Sequence, residues 1–324
     1  MAGDRSDSGR GEGEREAHGD AGIARAVAAL RAGSLVILPT ETVYGLGADA
    51  ANPAAVAAIY EAKGRPRFNP LISHVADIAA AERLAIFDDR AHRLAAAFWP
   101  GPLTLVLPIR PDTPVCDLAR AGLETVALRA PAHPVAQALL RAFGGPVVAP
   151  SANRSGRPSP TTFVDAVEET GVSAAAALEG GPCRVGLEST VVALLDQPRL
   201  LRPGAVTRAE IEVVIGPLAE AQDDAKRSPG RLTRHYSPEA PVRLNVEAPE
   251  LGEAYLAFGP TAVVGNVLNL SPTADPREAA ANLFAYLRAA DRTRPTAIAV
   301  APIPPDGLGE AINDRLNRAA GYIG

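Results

Sequence analysis

Three cations stand at alternate positions in Lys63-Gly64-Arg65-Pro66-Arg67-Phe68-Asn69-Pro70. Pro66 and Pro70 bias their neighbours towards extended geometry, so Lys63, Arg65 and Arg67 are expected to project along one side of a semi-rigid segment. That shape suits a polyphosphate. A bare K-x-R-x-R is by itself first a solvated basic loop, and the stretch before it shifts the balance. Leu35-Val36-Ile37-Leu38 reads as a buried strand, and Pro39-Thr40-Glu41-Thr42-Val43-Tyr44-Gly45-Leu46-Gly47 follows it with no helical signal. Two threonine hydroxyls, a carboxylate and two glycines then present small donors and bare backbone at a sheet edge, where open α/β sheets bind ligands.

Other candidates follow along the chain. Val126-Ala127-Leu128-Arg129 is an apolar strand ending in a charge. A buried arginine needs an anion, either a structural Asp or Glu or a substrate carboxylate held bidentately by the planar fork. His74 lies on an expected strand over 71–75, where a lone histidine is more often a satisfied core residue than a functional one. Val147-Val148-Ala149 runs into Pro150-Ser151-Ala152-Asn153-Arg154-Ser155-Gly156-Arg157-Pro158-Ser159, which reads as an anion-binding loop or as a turn rich in Ser and Pro. No G-x-S-x-G surrounds Ser151, so it is not expected to be a hydrolase nucleophile. No G-x-x-x-x-G-K-[ST] occurs, which excludes a P-loop; Gly45-Leu46-Gly47-Ala48-Asp49-Ala50 matches G-x-G-x-x-A, but residues 39–44 separate it from the strand. Lys63, Arg65, Arg67, Ser151, Asn153, Arg129 and Arg202 together suit a triphosphate and a small carboxylate. With no nucleophile beside a base, catalysis would come from positioning and charge stabilisation, with magnesium bridging phosphates.

The elements that must place these residues alternate. Helices are expected over 21–32, 53–62, 78–84, 88–98, 134–143, 162–170 and up to 215 from a cap at Thr207; strands over 35–38, 71–75, 103–107, 126–129, 147–149, from 188 to 192 and over 199–201. This alternation predicts an α/β domain with one main sheet over 21–218. Residues 219–241 lack apolar periodicity and read as a linker, with Ser228-Pro229-Gly230 and Arg234-His235-Tyr236-Ser237-Pro238 favouring a lid over a spacer. Strands over 255–258, 262–267 and 297–300 and helices over 276–290 and 308–320 then predict a smaller α/β unit over 242–324, about eighty residues long. It is expected to anchor the linker.

The net charge of −5 and the 4% aromatic content argue against broad nucleic-acid binding, and the 47% apolar content is ample for packed cores. Cys116 and Cys183 form no C-x-x-C pattern and the five histidines show no metal-ligand spacing, so neither a disulfide framework nor a zinc site is expected. Residues 1–20 have almost nothing to bury and read as a disordered tail. No stretch has the length of an apolar membrane span, and the start lacks a signal-peptide core. A cytoplasmic location is expected.

Pro39-Thr40-Glu41-Thr42-Val43-Tyr44-Gly45-Leu46-Gly47, Lys63-Gly64-Arg65 and Pro150-Ser151-Ala152-Asn153 resemble the signature of the YrdC-type threonylcarbamoyl-AMP synthases. Ser228-Pro229-Gly230 with His235-Tyr236-x-Pro238 is similar to the linker of their two-domain form, and Gly307-Leu308-Gly309 through Asn313-Asp314-Arg315-Leu316 to its C-terminal domain. The resemblance implies a YrdC-like twisted open sheet followed by a smaller Rossmann-like α/β domain. It implies conversion of L-threonine, bicarbonate or CO2, and ATP into threonylcarbamoyl-AMP and pyrophosphate, with Mg2+ bound through ATP. The product would pass to a tRNA threonylcarbamoyl transferase complex for the threonylcarbamoyladenosine (t6A) modification beside the anticodon of tRNAs reading codons that begin with A.

By motif, the resemblance assigns Thr42, His74, Arg129, Ser189 and the backbone at Ala149 to threonine. It assigns Lys63, Arg65, Asn69, Thr125, Ser151, Asn153, Ser159, Arg202 and Tyr236 to ATP, with Lys63 and Arg65 offsetting charge on the departing pyrophosphate. Arg231, Leu232 and Thr233 depart from the usual linker, and Ala193 stands where an aspartate is common. Two rival readings remain: a carbamoyl-adenylate enzyme with another acceptor, whose usual accompanying modules have no room here, and a non-enzymatic RNA-binding module, weakened by the scarcity of aromatic stacking platforms.

Overall fold

Leu35, Val36, Ile37 and Leu38 are all buried and form strand β1 (Leu35–Leu38). The glycine-containing stretch after it does not lie at a sheet edge, as its composition predicts; Gly45–Asp49 returns antiparallel as β2 in the sheet interior. Gly47 shows why. A Cβ there would stand 2.8 Å from Leu38 and 3.2 Å from Val36 and Val147, so bare backbone is what lets β2 fit between its neighbours. The threonines and Glu41 are thereby confined to the connection, where Thr40 Oγ1 donates to Val43 O at 2.6 Å and accepts from Val43 N at 3.2 Å.

The computed structural model describes residues 19–64, 69–219 and 236–321. The sheet is completed by β3 (Ile72–His74), β4 (Leu103–Pro108), β5 (Thr125–Arg129), β6 (Val147–Val148), β7 (Ala174–Ala177), β8 (Thr190–Leu194) and β9 (Pro198–Arg202). The nine strands run in the order β7-β1-β2-β6-β3-β5-β4-β8-β9. Side chains alternate across a strand, so Leu103, Leu105, Leu107, Val126, Leu128 and Val192 share one face with the core that includes Val56, Ile59, Leu94 and Ile211 from the helices. The opposite face carries Ile72, Val106, Ala127 and Val191. Two residues beyond Ile72 and Ala127 come His74 and Arg129, side by side in the β3–β5 register. The polar site residues thus continue an apolar face at the ends of these strands.

Strand β7 is four alanines, residues of low β-propensity, and the sequence alone did not announce it; parallel pairing with β1 at the sheet edge recruits it. A second sheet of four parallel strands has the order β10-β13-β11-β12, with β10 (Val242–Arg243), β11 (Ala254–Ala257), β12 (Val267–Asn269) and β13 (Ile298–Val300). The strand expected over 262–267 begins at the end of that window, and the short β10 has no apolar run to reveal it. Helices Pro276–Arg292 and Leu308–Ala319 supply Leu283, Phe284, Leu287, Ile312 and Leu316 to this unit's core. The chain is α/β throughout, a large mixed sheet followed by a smaller parallel one. Residues 1–18 of the expected tail, the basic positions Arg65 and Arg67, and Ser228, Pro229, Gly230, Arg231, Leu232, Thr233 and His235 of the linker lie outside the described residues.

The two units are closely joined. At Gly186 (φ +75°) a Cβ would come within 2.4 Å of Ala280 O in helix Pro276–Arg292, so only glycine permits this approach. Tyr236, Val43 and Leu187 pack into the second unit's core, while Ser237 N donates to Gly156 O at 2.7 Å and Ser237 Oγ to Ala319 O at 3.2 Å. Among the described residues no helix is long and apolar enough to cross a membrane.

Candidate active site

A pocket opens where the ends of β3, β5 and β6 meet the β1–β2 connection and the residues leading into β8. It is lined by Thr42, His74, Arg129, Ala149 and Ser189, together with Ser151, Glu188, Arg202 and Tyr236. Every residue the resemblance assigned to threonine is therefore in one place, with three of those assigned to ATP. Asn69 is buried beside the lining residue Pro70. Thr125 does not line the pocket; it sits at the opposite end of β5, on the same strand face as Arg129. Arg65 lies outside the described residues.

Arg129 finds the structural partner left open by its sequence. Its Nη2 donates to Glu41 Oε1 at 2.6 Å, its Nη1 to Thr42 Oγ1 at 2.8 Å and its Nε to Gly101 O at 3.2 Å. Glu41 also accepts from Ala132 N at 3.0 Å. Burial pushes the Glu41 carboxyl up, but Arg129 and the backbone donors outweigh it and hold the group below the usual carboxylate range. The pair is buried and mutually compensated, with three of the guanidinium's five N–H groups engaged. Arg129 can thus accept a substrate carboxylate only as an additional partner.

His74 beside it is neutral. Burial disfavours its cation, Arg129 adds repulsion, and its pKa falls from 6.5 to about 3. Nδ1 is buried without a hydrogen-bond partner among the described residues, a polar atom for which a ligand could supply the complement. The linkage has a definite sign. An unfolded chain takes up the proton below pH 6.5 and the folded one does not until about pH 3, so stability is full above pH 6.5 and declines as pH falls through that window. Between pH 6.5 and 5 the loss should approach roughly 2 kcal/mol. Urea melts of His74→Gln should show a flatter profile there; an unchanged slope would remove this assignment.

Lys63 is the last residue of helix Pro53–Lys63, which opens on the Asn52 cap with proline at its first turn and closes on Gly64 at φ +58°. Its side chain is buried, and Nζ donates to Ser151 O and Asn153 O. The ammonium therefore fastens the Ser151–Asn153 loop. Asn153 Nδ2 donates to Arg154 O at 2.7 Å and Arg157 O at 2.9 Å, leaving its buried Oδ1 without a partner among the described residues.

On the other side, Ser189 Oγ lies 2.7 Å from Thr104 Oγ1, and Arg202 Nη2 donates to Ser189 O at 2.9 Å. Ser159 Oγ donates to Glu188 Oε1 at 2.5 Å, and Arg315 Nε to Glu188 Oε2 at 3.1 Å. Burial raises the Glu188 carboxyl, while Arg315 and then Arg202 overcome that and bring it below its ordinary value. Tyr236 adopts a left-handed φ of +63°, a strain of about 1–3 kcal/mol for a bulky residue. Its ring is held 5.2 Å from Phe284 and 5.7 Å from the Arg315 guanidinium. Glu41, Glu188 and Arg315 are the residues that sequence reasoning did not assign. Glu41 and Arg315 lie inside quoted motifs and Glu188 in an expected strand, but nothing local shows a carboxylate to be buried and paired.

A family model described as telomere recombination, covering Sua5, YciO and YrdC proteins, matches residues 28–204, and one described as the C-terminal domain of threonylcarbamoyl-AMP synthase matches residues 206–321. The chain belongs to the threonylcarbamoyl-AMP synthase family. It is 42% identical to the threonylcarbamoyl-AMP synthase of Bacillus subtilis, across 93% of this chain and 94% of that protein. It is also 42% identical to that of Pyrococcus abyssi, across 90% and 92%. The crystal structure of P. abyssi Sua5 complexed with L-threonine superposes with a TM-score of 0.84 at 41% identity, covering 93% of this chain and 94% of that one. In this family member Thr42 through Arg202 fall within the first matched region and Tyr236 and Arg315 within the second, so both regions build the pocket.

Proposed function

We propose that this chain is an L-threonylcarbamoyladenylate synthase, a nucleotidyltransferase making threonylcarbamoyl-AMP and pyrophosphate from L-threonine, bicarbonate or CO2, and ATP. The observation that carries the reading is one pocket holding Thr42, neutral His74, the Arg129 fork, Ala149 and Ser189 beside the Lys63-fastened loop and Arg202. The first set suits an amino acid: Arg129 takes the carboxylate with its remaining N–H groups, and His74 Nδ1, Thr42 and Ser189 offer complements to hydroxyl and amine. The second set suits ATP, with Ser151, Asn153 and Ser159 as polar contacts, Asn69 beside them, Tyr236 closing one side, and Lys63 and Arg202 as cations; the resemblance adds Arg65 and Thr125 to this role.

The threonine ammonium gives up one proton to solvent, the free amine attacks CO2 as one C–O π bond opens onto oxygen, and the nitrogen releases a second proton to solvent to leave an anionic carbamate. A carbamate oxygen attacks the α-phosphorus, the bond to the bridging oxygen breaks, and pyrophosphate leaves with the electron pair. Positioning and charge stabilisation suffice for this step, and burial of the lining groups limits hydrolysis of the mixed anhydride. Mg2+, carried by ATP, would neutralise the phosphates; among the described residues no cluster of three His, Cys, Asp or Glu could hold a metal. The product would pass in the cytoplasm to a tRNA threonylcarbamoyl transferase complex for the t6A modification, without stable tRNA binding by this chain.

Pyrophosphate release from ATP, bicarbonate and magnesium, measured with each amino acid in turn, should require L-threonine and leave a threonylcarbamoyl-AMP adduct by mass spectrometry. ATP turnover indifferent to threonine would give the acceptor role to another amine. An absence of ATP binding would sink the reading.

A further inference from the structure

We propose that Arg315, supplied by the second unit, is a positioning residue for the nucleotide end of the pocket, acting through Glu188 and the Arg202-Pro203 segment. This rests on the reading above. Arg315 is fully buried on helix Leu308–Ala319. Its Nε donates to Glu188 Oε2 at 3.1 Å, and its Nη1 to Pro203 O at 2.7 Å and to Asp314 Oδ2 at 2.9 Å. The guanidinium carbon stands 5.7 Å from the Tyr236 ring centroid. Glu188 and Tyr236 line the pocket, and Pro203 directly follows the lining residue Arg202. The opposite oxygen of Glu188 takes Ser159 Oγ. One side chain from the second unit therefore touches, directly or through one intermediate, Ser159, Arg202 and Tyr236.

Charge explains why this contact should matter beyond docking. Glu188 is buried within the influence of two cations, Arg315 and Arg202. Arg202 itself donates Nε and Nη2 to Ser189 O at 3.1 and 2.9 Å. A buried carboxylate that loses one cation turns to the next. Without Arg315, Glu188 would compete with an anionic substrate for Arg202, and Ser159 would move with Glu188. Other contacts join the units elsewhere: Arg292, half exposed, pairs with Asp165 and Glu168 on helix Phe163–Thr170. None of those residues lines the pocket.

The test separates nucleotide from threonine affinity in the full chain. Arg315→Lys keeps the charge but cannot reach Glu188 and Pro203 O in the same geometry. Calorimetric titration with ATP and magnesium should show at least a tenfold weaker Kd, while threonine affinity stays within twofold. Arg292→Gln should leave both within twofold. Asp314→Asn, which loosens Arg315 from one side, should weaken ATP about threefold and decides the matter if Arg315→Lys does not fold. Unchanged ATP affinity, or ATP and threonine weakened in parallel, would overturn the proposal. If the wild-type chain binds ATP but shows no threonine-dependent pyrophosphate release, the proposed reaction fails while the ATP titrations still decide the role of Arg315.

Discussion

Replacing Lys63 by methionine should lower threonine-dependent pyrophosphate release by at least about 100-fold, the scale reached when one preorganised charge-stabilising donor is lost. Lys63 is buried, and its ammonium holds the carbonyls of Ser151 and Asn153. Methionine fills much the same space and donates nothing. Each stranded buried carbonyl costs about 1–3 kcal/mol, so the loop must either move to recover partners or stay in place at that cost. Movement carries Ser151 and Asn153 out of register with the rest of the lining. A melt monitored by tryptophan fluorescence should show lower stability, and calorimetry should show weakened ATP binding with threonine binding less affected. Lys63→Arg keeps the charge in a bulkier shape and should recover part of the stability but little of the rate. A Lys63→Met protein with more than a tenth of the wild-type rate would show that the fastened loop is not required.

The Glu41–Arg129 pair should give the largest stability effects in the protein. Both side chains are only 4% exposed, and breaking a buried pair from one side typically costs 3–5 kcal/mol, an order-of-magnitude guide. Glu41→Gln leaves a buried guanidinium without its counter-charge, and Arg129→Met leaves a buried carboxylate that must take up a proton. Each should lower stability by roughly that amount in urea melts. The double variant Glu41→Leu/Arg129→Met removes both charges and should recover much of the loss, because the singles are coupled through one contact. Activity should part company with stability: the double variant should remain folded yet lose its response to threonine. If the two single losses simply add, the pair is not the coupled unit its geometry describes. Its pH dependence has a definite sign. The Glu41 carboxyl is depressed in the folded chain, so the pair's contribution is present above the ordinary carboxylate pKa and disappears as pH falls through the depressed one.

The sequence by itself determined the elements whose causes are local. Helix Pro134–Phe143 was legible to the residue, because proline starts it at the first turn and Gly144 ends it in a left-handed conformation. Asn52 and Pro53 fixed the start of the helix that delivers Lys63, which runs one residue past the expected 53–62. The apolar runs of β1, β4 and β8, the position of Arg129 at a strand end, and the motifs at 39–47, 63–65 and 150–153 were equally readable. So was the family that these motifs mark.

Tertiary structure decided what depends on distant neighbours. Strand β2 exists because Gly47 fits between Leu38, Val36 and Val147, and β7 because β1 has an edge to pair with. The counter-charge of Arg129 is Glu41, 88 residues away, and that of Glu188 is Arg315, 127 residues away in another unit. A charge placed on an apolar strand announces that it needs a partner, but its choice is set by which groups the fold brings within about 3 Å after water is excluded. That selection occurs only when the sheets close over the pocket, and it also set the Lys63 ammonium on the carbonyls of Ser151 and Asn153.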